Sequence, residues 1–273
     1  ITPATDILIE LAKHKSLGAR VFQAEDEIAG ICSAIGASFA GAMACTSTSG
    51  PGLSLKSEAI GLAVMTELPL VIVDVQRGGP STGLPTKTEQ SDLTQALFGR
   101  NGEAPCIVVA ASSSANCFYW AFEAARLSLE TMTPTILLTD GYLGNGSQLF
   151  RIPKMADLPK INPPFATPND PNYAPYNRDP ETLVRQWALP GMDGLRHRIG
   201  GLEKLSGKGS VSTDSANHEQ MVKFRKEKVE RVANRIPNQE VEGAESADLL
   251  VVGWGGTEGA LRCAVQELQA EGK

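Results

Sequence analysis

The chain has 273 residues, and its 25 Lys and Arg against 31 Asp and Glu give a formal net charge of −6. This acidic balance argues against nucleic acid as the main partner, because polyphosphate backbones attract basic surfaces. Apolar residues make up 42% of the chain, as in globular proteins, and neither a membrane span of roughly 18 apolar residues nor a secretory signal is recognisable.

Short apolar runs alternate with helical patterns over the first half of the chain. They predict strands at 20–24, 42–46, 70–75, 107–111 and 135–140, and helices at 27–40, 53–65 and 115–130. The runs at 70–75 and 107–111 are almost continuously apolar, which is typical of strands covered on both faces. The alternation therefore predicts an α/β fold, with an open, mostly parallel sheet and helices on both faces.

The character of the sequence changes after residue 150. Six prolines between residues 161 and 180 exclude a continuous helix or inner strand, so we interpret this stretch as an arm. Further on, the patterns predict a charged helix at 219–236, a strand at 248–253 and a helix at 257–269. We expect an α/β domain at 1–150, an arm with a connecting helix at 151–244, and the truncated start of a second α/β domain at 245–273. Since the chain lacks an initial Met, we interpret it as a fragment.

Cysteine and histidine spacing gives no sign of a metal site. The five cysteines are widely spaced and form no C-x-x-C pair, so we interpret them as buried thiols of a cytoplasmic protein. An iron–sulfur cluster or structural zinc is not expected in this chain alone. The three histidines also lack metal-binding spacing.

Two glycine-rich segments suggest phosphate binding only weakly. Gly78 and Gly83 have the spacing of a phosphate-binding loop, but Leu84 occupies the position of its lysine. The glycine-rich turn at 253–259 follows a predicted strand and opens a predicted helix. It is either a nucleotide-binding turn or a tight strand-to-helix connection.

Four polar features fall at one edge of the predicted sheet. They are Thr2, the acidic run at 25–27, the turn at 46–52 and Arg77. Open parallel sheets bind ligands at their carboxyl edge, where an Arg is a common clamp for carboxylates. A solvated helix start also explains the acidic run, and a surface salt bridge also explains Arg77. The residues alone therefore predict a ligand site at this edge without identifying the ligand.

Several segments resemble one enzyme family. The sequence Thr-Ser-Gly-Pro-Gly at 48–52, together with Glu27 placed nine residues before Gly36, resembles the pyrimidine-binding domain of thiamine diphosphate enzymes. The opening Ile-Thr-Pro, the run at 23–29 and the long stretch at 76–90 resemble, more narrowly, the α subunit of 2-oxoacid:ferredoxin oxidoreductases of the 2-oxoglutarate type. The resemblance covers essentially the whole chain.

The resemblance implies roles for individual residues. Glu27 is the carboxyl group that faces N1′ of the cofactor's aminopyrimidine, with Glu25 as the alternative because the acidic run permits a two-residue slip. Thr2 contacts the substrate and Arg77 binds its carboxylate, so Glu27, Thr2 and Arg77 form the catalytic set. The cofactor-binding turn comprises Ser49, Gly50, Pro51 and Gly52. Since Glu27 must be kept neutral to donate a proton, we expect it in an apolar, buried setting.

The resemblance also implies partners. In this family a β subunit carries the diphosphate and Mg²⁺ site and an iron–sulfur cluster, ferredoxin accepts electrons, and coenzyme A accepts the acyl group. We expect an α subunit of a hetero-oligomer that oxidatively decarboxylates 2-oxoglutarate or a related 2-oxoacid, or runs in reverse. Ala4, Thr5 and Asp6 replace the family's commoner Ser-Ser. The alternatives are a non-redox thiamine diphosphate enzyme and a non-catalytic nucleotide-binding module.

Overall fold

The computed structural model describes residues 2–243 and 246–272. Its sheet has the order β1-β2-β4-β3, and every neighbouring pair is parallel. The strands are β1 (Cys45–Thr48), β2 (Leu70–Gln76), β3 (Ile107–Ala110) and β4 (Pro134–Asp140). The predicted fold class, α/β with a parallel sheet, is therefore confirmed.

Helices cover both faces of this sheet. In chain order they are α1 (Thr5–Lys13), α2 (Glu27–Phe39), α3 (Gly50–Leu55), α4 (Ser57–Thr66), α5 (Leu93–Phe98), α6 (Ser114–Thr131), α7 (Gly141–Asn145), α8 (Ser215–Val232) and α9 (Glu258–Ala270). Ile72 of β2 packs in one core cluster with α2 and α4, whereas its neighbour Val71 packs in another with α6 and Val232 of α8. Successive side chains of a strand point to opposite faces, which explains the continuously apolar runs.

Three predicted elements differ in the structure. The prediction of a strand at 20–24 is wrong, because this segment pairs with no strand and leaves Phe22 70% exposed. The first strand begins at Cys45, three residues later than predicted. The helix predicted at 53–65 is two helices that meet at Lys56. Its start lies earlier than predicted because Pro51, whose backbone angle is preset for a helix, occupies the first turn.

The prediction of a strand at 248–253 is also wrong. These residues form no strand, and Leu249 and Val252 are 73% and 82% exposed. A strand exists only where a neighbour supplies hydrogen bonds, and none does so here. The predicted helix after it does form, as α9. The three-unit division of the chain stays a prediction.

The expectation of buried thiols was wrong for most of the cysteines. Cys106 is buried and Cys117 is partly buried, whereas Cys32, Cys45 and Cys263 are exposed. Cys32 lies on the outer face of its helix and Cys45 on an edge strand, where apolar periodicity alone does not separate core from surface. Among the helices in the described ranges, none combines the length and apolar character of a membrane-spanning helix.

The proline-rich arm is tied to the amino-terminal edge of the sheet by a buried ionic cluster. Glu67, which directly follows α4, accepts hydrogen bonds from Arg178 of the arm and from Lys228 of α8, the latter at 2.9 Å. The side chains of all three are nearly inaccessible to solvent. Since a buried carboxylate requires compensating charge, this cluster joins three separate parts of the chain.

Two opposing effects set the pKa of Glu67. Burial raises it, but the positive charges of Lys228, Arg178 and Arg185 outweigh burial and lower it to about 2. The pKa in the folded state is therefore below the ordinary value of 4.5. The stability that Glu67 contributes is fully present above about pH 4.5 and is lost as the pH falls towards 2.

We expect Glu67→Gln to lower the free energy of unfolding at neutral pH by about 3–5 kcal/mol, because it leaves buried cations uncompensated. Urea unfolding measures this change. The matched control is Glu219→Gln, which breaks an exposed pair with Lys223 and is expected to change stability little. A Glu67→Gln effect no larger than the control's would contradict the assigned role of the cluster.

Candidate functional site

Parallel pairing brings the ends of three strands together. Thr48 of β1 lies beside Asp74 of β2, and Gln76 of β2 lies beside Asp140 of β4. The residues that follow these strands therefore emerge at one edge, as the sequence predicts. They include the Gly-Pro-Gly turn and Arg77, so the candidate site lies at the carboxyl edge of the sheet.

The Gly-Pro-Gly turn is fixed from inside the fold. Ser49 precedes α3, and its hydroxyl donates a hydrogen bond to the carbonyl of Val75 at 2.7 Å. Gly50 packs so closely against Asp92 that a Cβ at this position would lie 2.6 Å from the carboxylate Oδ1. Gly50 and Gly52 are buried and Pro51 is partly buried. The Ser49 hydroxyl thus anchors the turn. The groups that the turn offers to a ligand are those of the backbone of 49–52.

A buried pair of acids lies beneath this turn. Asp74 is fully buried, and neither of its carboxyl oxygens has a hydrogen-bond donor within the described part of the chain. Burial, and then the negative charge of Asp92, raise the pKa of Asp74 well above its usual range. The pKa of Asp92 is also raised, chiefly by burial, so two buried acids whose charged forms are disfavoured join β2 to the start of α5. Sequence analysis missed this pair, although an Asp inside an apolar strand is a signal.

Thr2 and Arg77 are in direct contact. Arg77 donates from Nη1 to the carbonyl of Thr2 at 2.6 Å and from Nη2 to the carbonyl of Thr82 at 2.9 Å. Its Nε is buried without a partner among residues 2–243 and 246–272, and within those ranges no carboxylate forms a salt bridge with Arg77. Within the described ranges the surface salt bridge considered from the sequence is therefore absent, and the guanidinium next to Thr2 has no carboxylate paired with it.

The loop after Arg77 folds back on itself. Gly78 donates to the carbonyl of Lys87 at 2.9 Å, and Leu84 donates to that of Gly78 at 2.8 Å. Gly83 adopts a left-handed conformation with φ of 50°, and a Cβ there would lie 1.9 Å from the carbonyl of Gly78. The two glycines thus permit the close approach of backbone segments in a tight, exposed loop. In this loop Leu84 stands where a phosphate-binding loop has its lysine.

The acidic run lies at the start of α2. Asp26 caps the helix, because its Oδ1 accepts a hydrogen bond from the amide of Ala29 at 2.8 Å. Glu25 is exposed and Glu27 is partly buried. In the described residues the Glu27 carboxyl has no hydrogen bond or ion pair, and the buried Lys56 donates to its backbone carbonyl at 3.0 Å. This chain by itself therefore does not supply the fully buried setting expected for Glu27.

The glycine-rich turn near the carboxyl terminus packs against the same edge of the sheet. Gln90 donates to the carbonyl of Trp254 at 2.9 Å. A Cβ at Gly256 would lie 2.5 Å from Oδ2 of Asp140, and one at Gly255 would lie 3.0 Å from the Gln90 amide. These glycines permit close packing within the chain, which favours the tight turn over the nucleotide-binding turn.

A large open cavity, of about 1220 Å³, lies at the other end of the sheet. Its lining includes Thr131, just before β4, and the cations Arg178, Arg185 and Lys228. It therefore surrounds the ionic cluster of Glu67 and not the candidate site. As to metals, no group of three or more His, Cys, Asp or Glu side chains is arranged to hold an ion within the ranges that the structure describes.

The chain is similar to known proteins over its whole length. The family described as pyruvate flavodoxin/ferredoxin oxidoreductase, thiamine diphosphate-binding, matches residues 1–214. The 2-oxoglutarate oxidoreductase subunit KorA of Mycobacterium tuberculosis is 55% identical over all 273 residues, which correspond to 41% of its length. The 2-oxoglutarate synthase subunit KorA of Methanothermobacter marburgensis is 34% identical over the whole chain and 72% of its own length.

A solved structure is similar over the full chain. The 2-oxoglutarate:ferredoxin oxidoreductase from Magnetococcus marinus, with 2-oxoglutarate, coenzyme A and succinyl-CoA bound, superposes with a TM-score of 0.95 at 41% identity. The match covers 100% of this chain and 47% of that one. The chain thus spans somewhat less than half the length of the M. tuberculosis and M. marinus proteins.

We expect Gly50→Ala to displace Asp92 and to lower the free energy of unfolding by about 1–3 kcal/mol through overpacking. Thermal or urea unfolding measures the loss. Gly61→Ala is the matched control, since Gly61 lies inside α4 and a Cβ there meets no atom within 4 Å. This control is expected to gain about 0.5–1 kcal/mol from its better helix propensity. Equal changes in the free energy of unfolding of both variants would show that the contact with Asp92 does not exclude a side chain at position 50.

Proposed function

The chain belongs to the pyruvate flavodoxin/ferredoxin oxidoreductase family of thiamine diphosphate-binding proteins, and on this premise we propose that it is part of the α subunit of a 2-oxoglutarate:ferredoxin oxidoreductase. The reaction is the oxidative decarboxylation of 2-oxoglutarate to an acyl-CoA with ferredoxin as electron acceptor, or its reverse. The observation that carries this proposal is the buried Arg77, next to Thr2 at the carboxyl edge of the sheet, whose guanidinium forms no salt bridge with a carboxylate of residues 2–243 or 246–272.

The residues at this edge fit the heterocyclic end of thiamine diphosphate. Glu27 offers a carboxyl group that no side chain of the described residues engages, and such a group can pair with a ring nitrogen. The turn at 49–52 is rigid and offers backbone groups close by in the fold. When bound, thiamine diphosphate supplies a nucleophilic carbon that attacks the 2-keto group of the substrate.

Glu27 holds a proton at N1′ of the aminopyrimidine. Donation of this proton would make the neighbouring amino group of the ring more acidic and so favour its imino form, which is the base, and the position and proton affinity of Glu27 would therefore control activation. Glu25 is two residues earlier, is exposed and precedes the helix cap. The geometry therefore favours Glu27 over Glu25 for this role.

Arg77 and Thr2 bind the carboxylate of the 2-oxoacid. A planar guanidinium matches a carboxylate through two parallel hydrogen bonds. Each Nη of Arg77 uses one hydrogen on a backbone carbonyl and has a second one left. These bonds to Thr2 and Thr82 hold the guanidinium in place, which reduces the entropy lost on binding the substrate.

We place the remaining functions on a partner. A β subunit would contribute the diphosphate and Mg²⁺ site and the iron–sulfur cluster, and coenzyme A would receive the acyl group. Support comes from the names of the relatives, which are subunits, and from the bound coenzyme A in the structure from Magnetococcus marinus. The site then forms at an interface between two kinds of subunit.

The proposal is tested by measuring viologen reduction dependent on 2-oxoglutarate and coenzyme A, with the full chain alone and with its β subunit. Activity is expected only in the assembly. Full activity of the chain alone would refute the divided site. Decarboxylation by the assembly without viologen reduction would instead favour a non-redox thiamine diphosphate enzyme.

We expect Arg77→Ala to lower kcat/KM for 2-oxoglutarate by an amount equivalent to about 2–4 kcal/mol, because a charged hydrogen-bond pair with the substrate is lost. Arg77→Lys keeps the positive charge but not the planar pair of N–H donors, and its kcat/KM is expected to fall less than that of Arg77→Ala. Steady-state kinetics of the assembly measure both variants.

Arg100→Ala is the matched control for Arg77. In the part of the chain that the structure describes, the guanidinium of Arg100 also donates to backbone carbonyls and to no side chain, but it lies after α5, away from the site. Its kcat/KM should stay close to that of the unmodified enzyme. Equal losses in the Arg77 and Arg100 variants would remove Arg77 from the substrate site.

A further inference from the structure

Lys56 is a buried cation next to the residue that would bind the aminopyrimidine. It lies at the junction of α3 and α4, and only 1% of it is exposed. Its Nζ donates to the carbonyl of Glu27 at 3.0 Å, which is the single hydrogen bond of this ammonium among the described residues. Lys56 therefore clamps the start of α2 to the helix that begins with the Gly-Pro-Gly turn, and two of its ammonium hydrogens remain free.

The charges that face Lys56 are those of α2. The negative charges of Glu27 and Asp26 act on the ammonium from the first turn of this helix. Asp26 is already used as the helix cap, whereas the Glu27 carboxyl is free. Burial lowers the pKa of Lys56, against the opposing effect of these two carboxylates, to about 8. At neutral pH the group is thus a cation with Glu27 as its available counter-charge.

Anchoring alone does not explain a lysine at this position. A neutral donor could satisfy the Glu27 carbonyl, whereas burial of an ammonium group carries a desolvation penalty of several kcal/mol. A buried positive charge can stabilise a neighbouring group that becomes negatively charged during the reaction. The residue that does so in the proposed function is Glu27.

We propose that Lys56 positions Glu27 and stabilises its carboxylate form, so that Glu27 can pass its proton to N1′ of the aminopyrimidine and take it back. This inference rests on the proposed function and extends it by one residue. The proton moves from the carboxyl oxygen to the ring nitrogen, and no electrons are exchanged. The negative charge left on Glu27 is stabilised by the nearby ammonium charge of Lys56, and the amino end of α2 acts in the same direction.

The test is the rate of hydrogen–deuterium exchange at C2 of thiamine diphosphate in the assembled enzyme, with the dissociation constant of the cofactor as a second readout. Lys56→Met, which removes the charge and the donor, is expected to slow exchange by on the order of ten-fold or more. Lys56→Arg is expected to restore most of the rate.

The pH profile separates charge from anchoring. In the unmodified enzyme, exchange is expected to decline above about pH 8, where Lys56 loses its proton. Lys56→Arg should lack this alkaline decline, because arginine stays protonated throughout the accessible range. A decline that persists unchanged in Lys56→Arg overturns the proposal, and this result can be obtained even if Lys56→Met does not fold.

Lys204→Met is the matched control. Lys204 is also buried, donates to two backbone carbonyls, and has a pKa lowered to about 8, chiefly by burial, but it belongs to the arm. Its loss should reduce thermal stability without slowing exchange. If Lys56→Met reduces stability as Lys204→Met does and leaves the exchange rate within about two-fold of the original, Lys56 is structural only and the proposal fails.

Glu27→Gln distinguishes this failure from that of the proposed function. Unchanged exchange in Glu27→Gln would remove Glu27 from the cofactor site and, with it, the basis of both proposals. Abolished exchange in Glu27→Gln together with normal exchange in Lys56→Met would reject the role of Lys56 alone.

Discussion

The parallel pairing of β2 with both β1 and β4 is the constraint on which the candidate site depends. Parallel strands end at the same edge, so segments that are far apart in the chain meet after Thr48, Gln76 and Asp140. The backbone of the Gly-Pro-Gly turn and the guanidinium of Arg77 thereby come to adjacent positions. No single helix or loop of this chain supplies both the turn and the guanidinium. The candidate site therefore depends first on the topology of the sheet and then on the individual side chains.

Buried charges fix the two edges of this sheet in different ways. At the amino edge, Glu67 is compensated by Arg178 and Lys228 and holds the arm against the core. At the carboxyl edge, burial and then the negative charge of Asp92 raise the pKa of Asp74. The first arrangement weakens when acid protonates Glu67, whereas acid favours the second. The two edges therefore respond to pH in opposite directions, and the large cavity belongs to the edge without the candidate chemistry.

Sequence predicted the central elements well and the peripheral ones poorly. The strands β2 and β4 and the helices α2 and α6 carry continuous or periodic apolar patterns that tertiary packing only confirms. The segments at 20–24 and 248–253 have strand-like composition, but strand formation depends on a neighbour that composition does not reveal. The position of Arg77 at the carboxyl edge was predictable because it directly follows a buried strand. Lys56 was missed, since its contact with Glu27 joins positions 29 residues apart and leaves no trace in local spacing.

The setting of Glu27 links assembly to chemistry. A carboxyl group that donates a proton to a ring nitrogen must be neutral before transfer and charged after it, so neither form can be strongly preferred. In this chain Glu27 lies at the amino end of α2, its backbone carbonyl accepts a hydrogen bond from the ammonium of Lys56, and its side chain is only partly buried. Under the proposed function, the opposing effect, desolvation, would come from the cofactor ring and from a partner subunit covering this edge. On this proposal, proton transfer would then be balanced only in the assembled enzyme, which ties the chemistry of Glu27 to assembly.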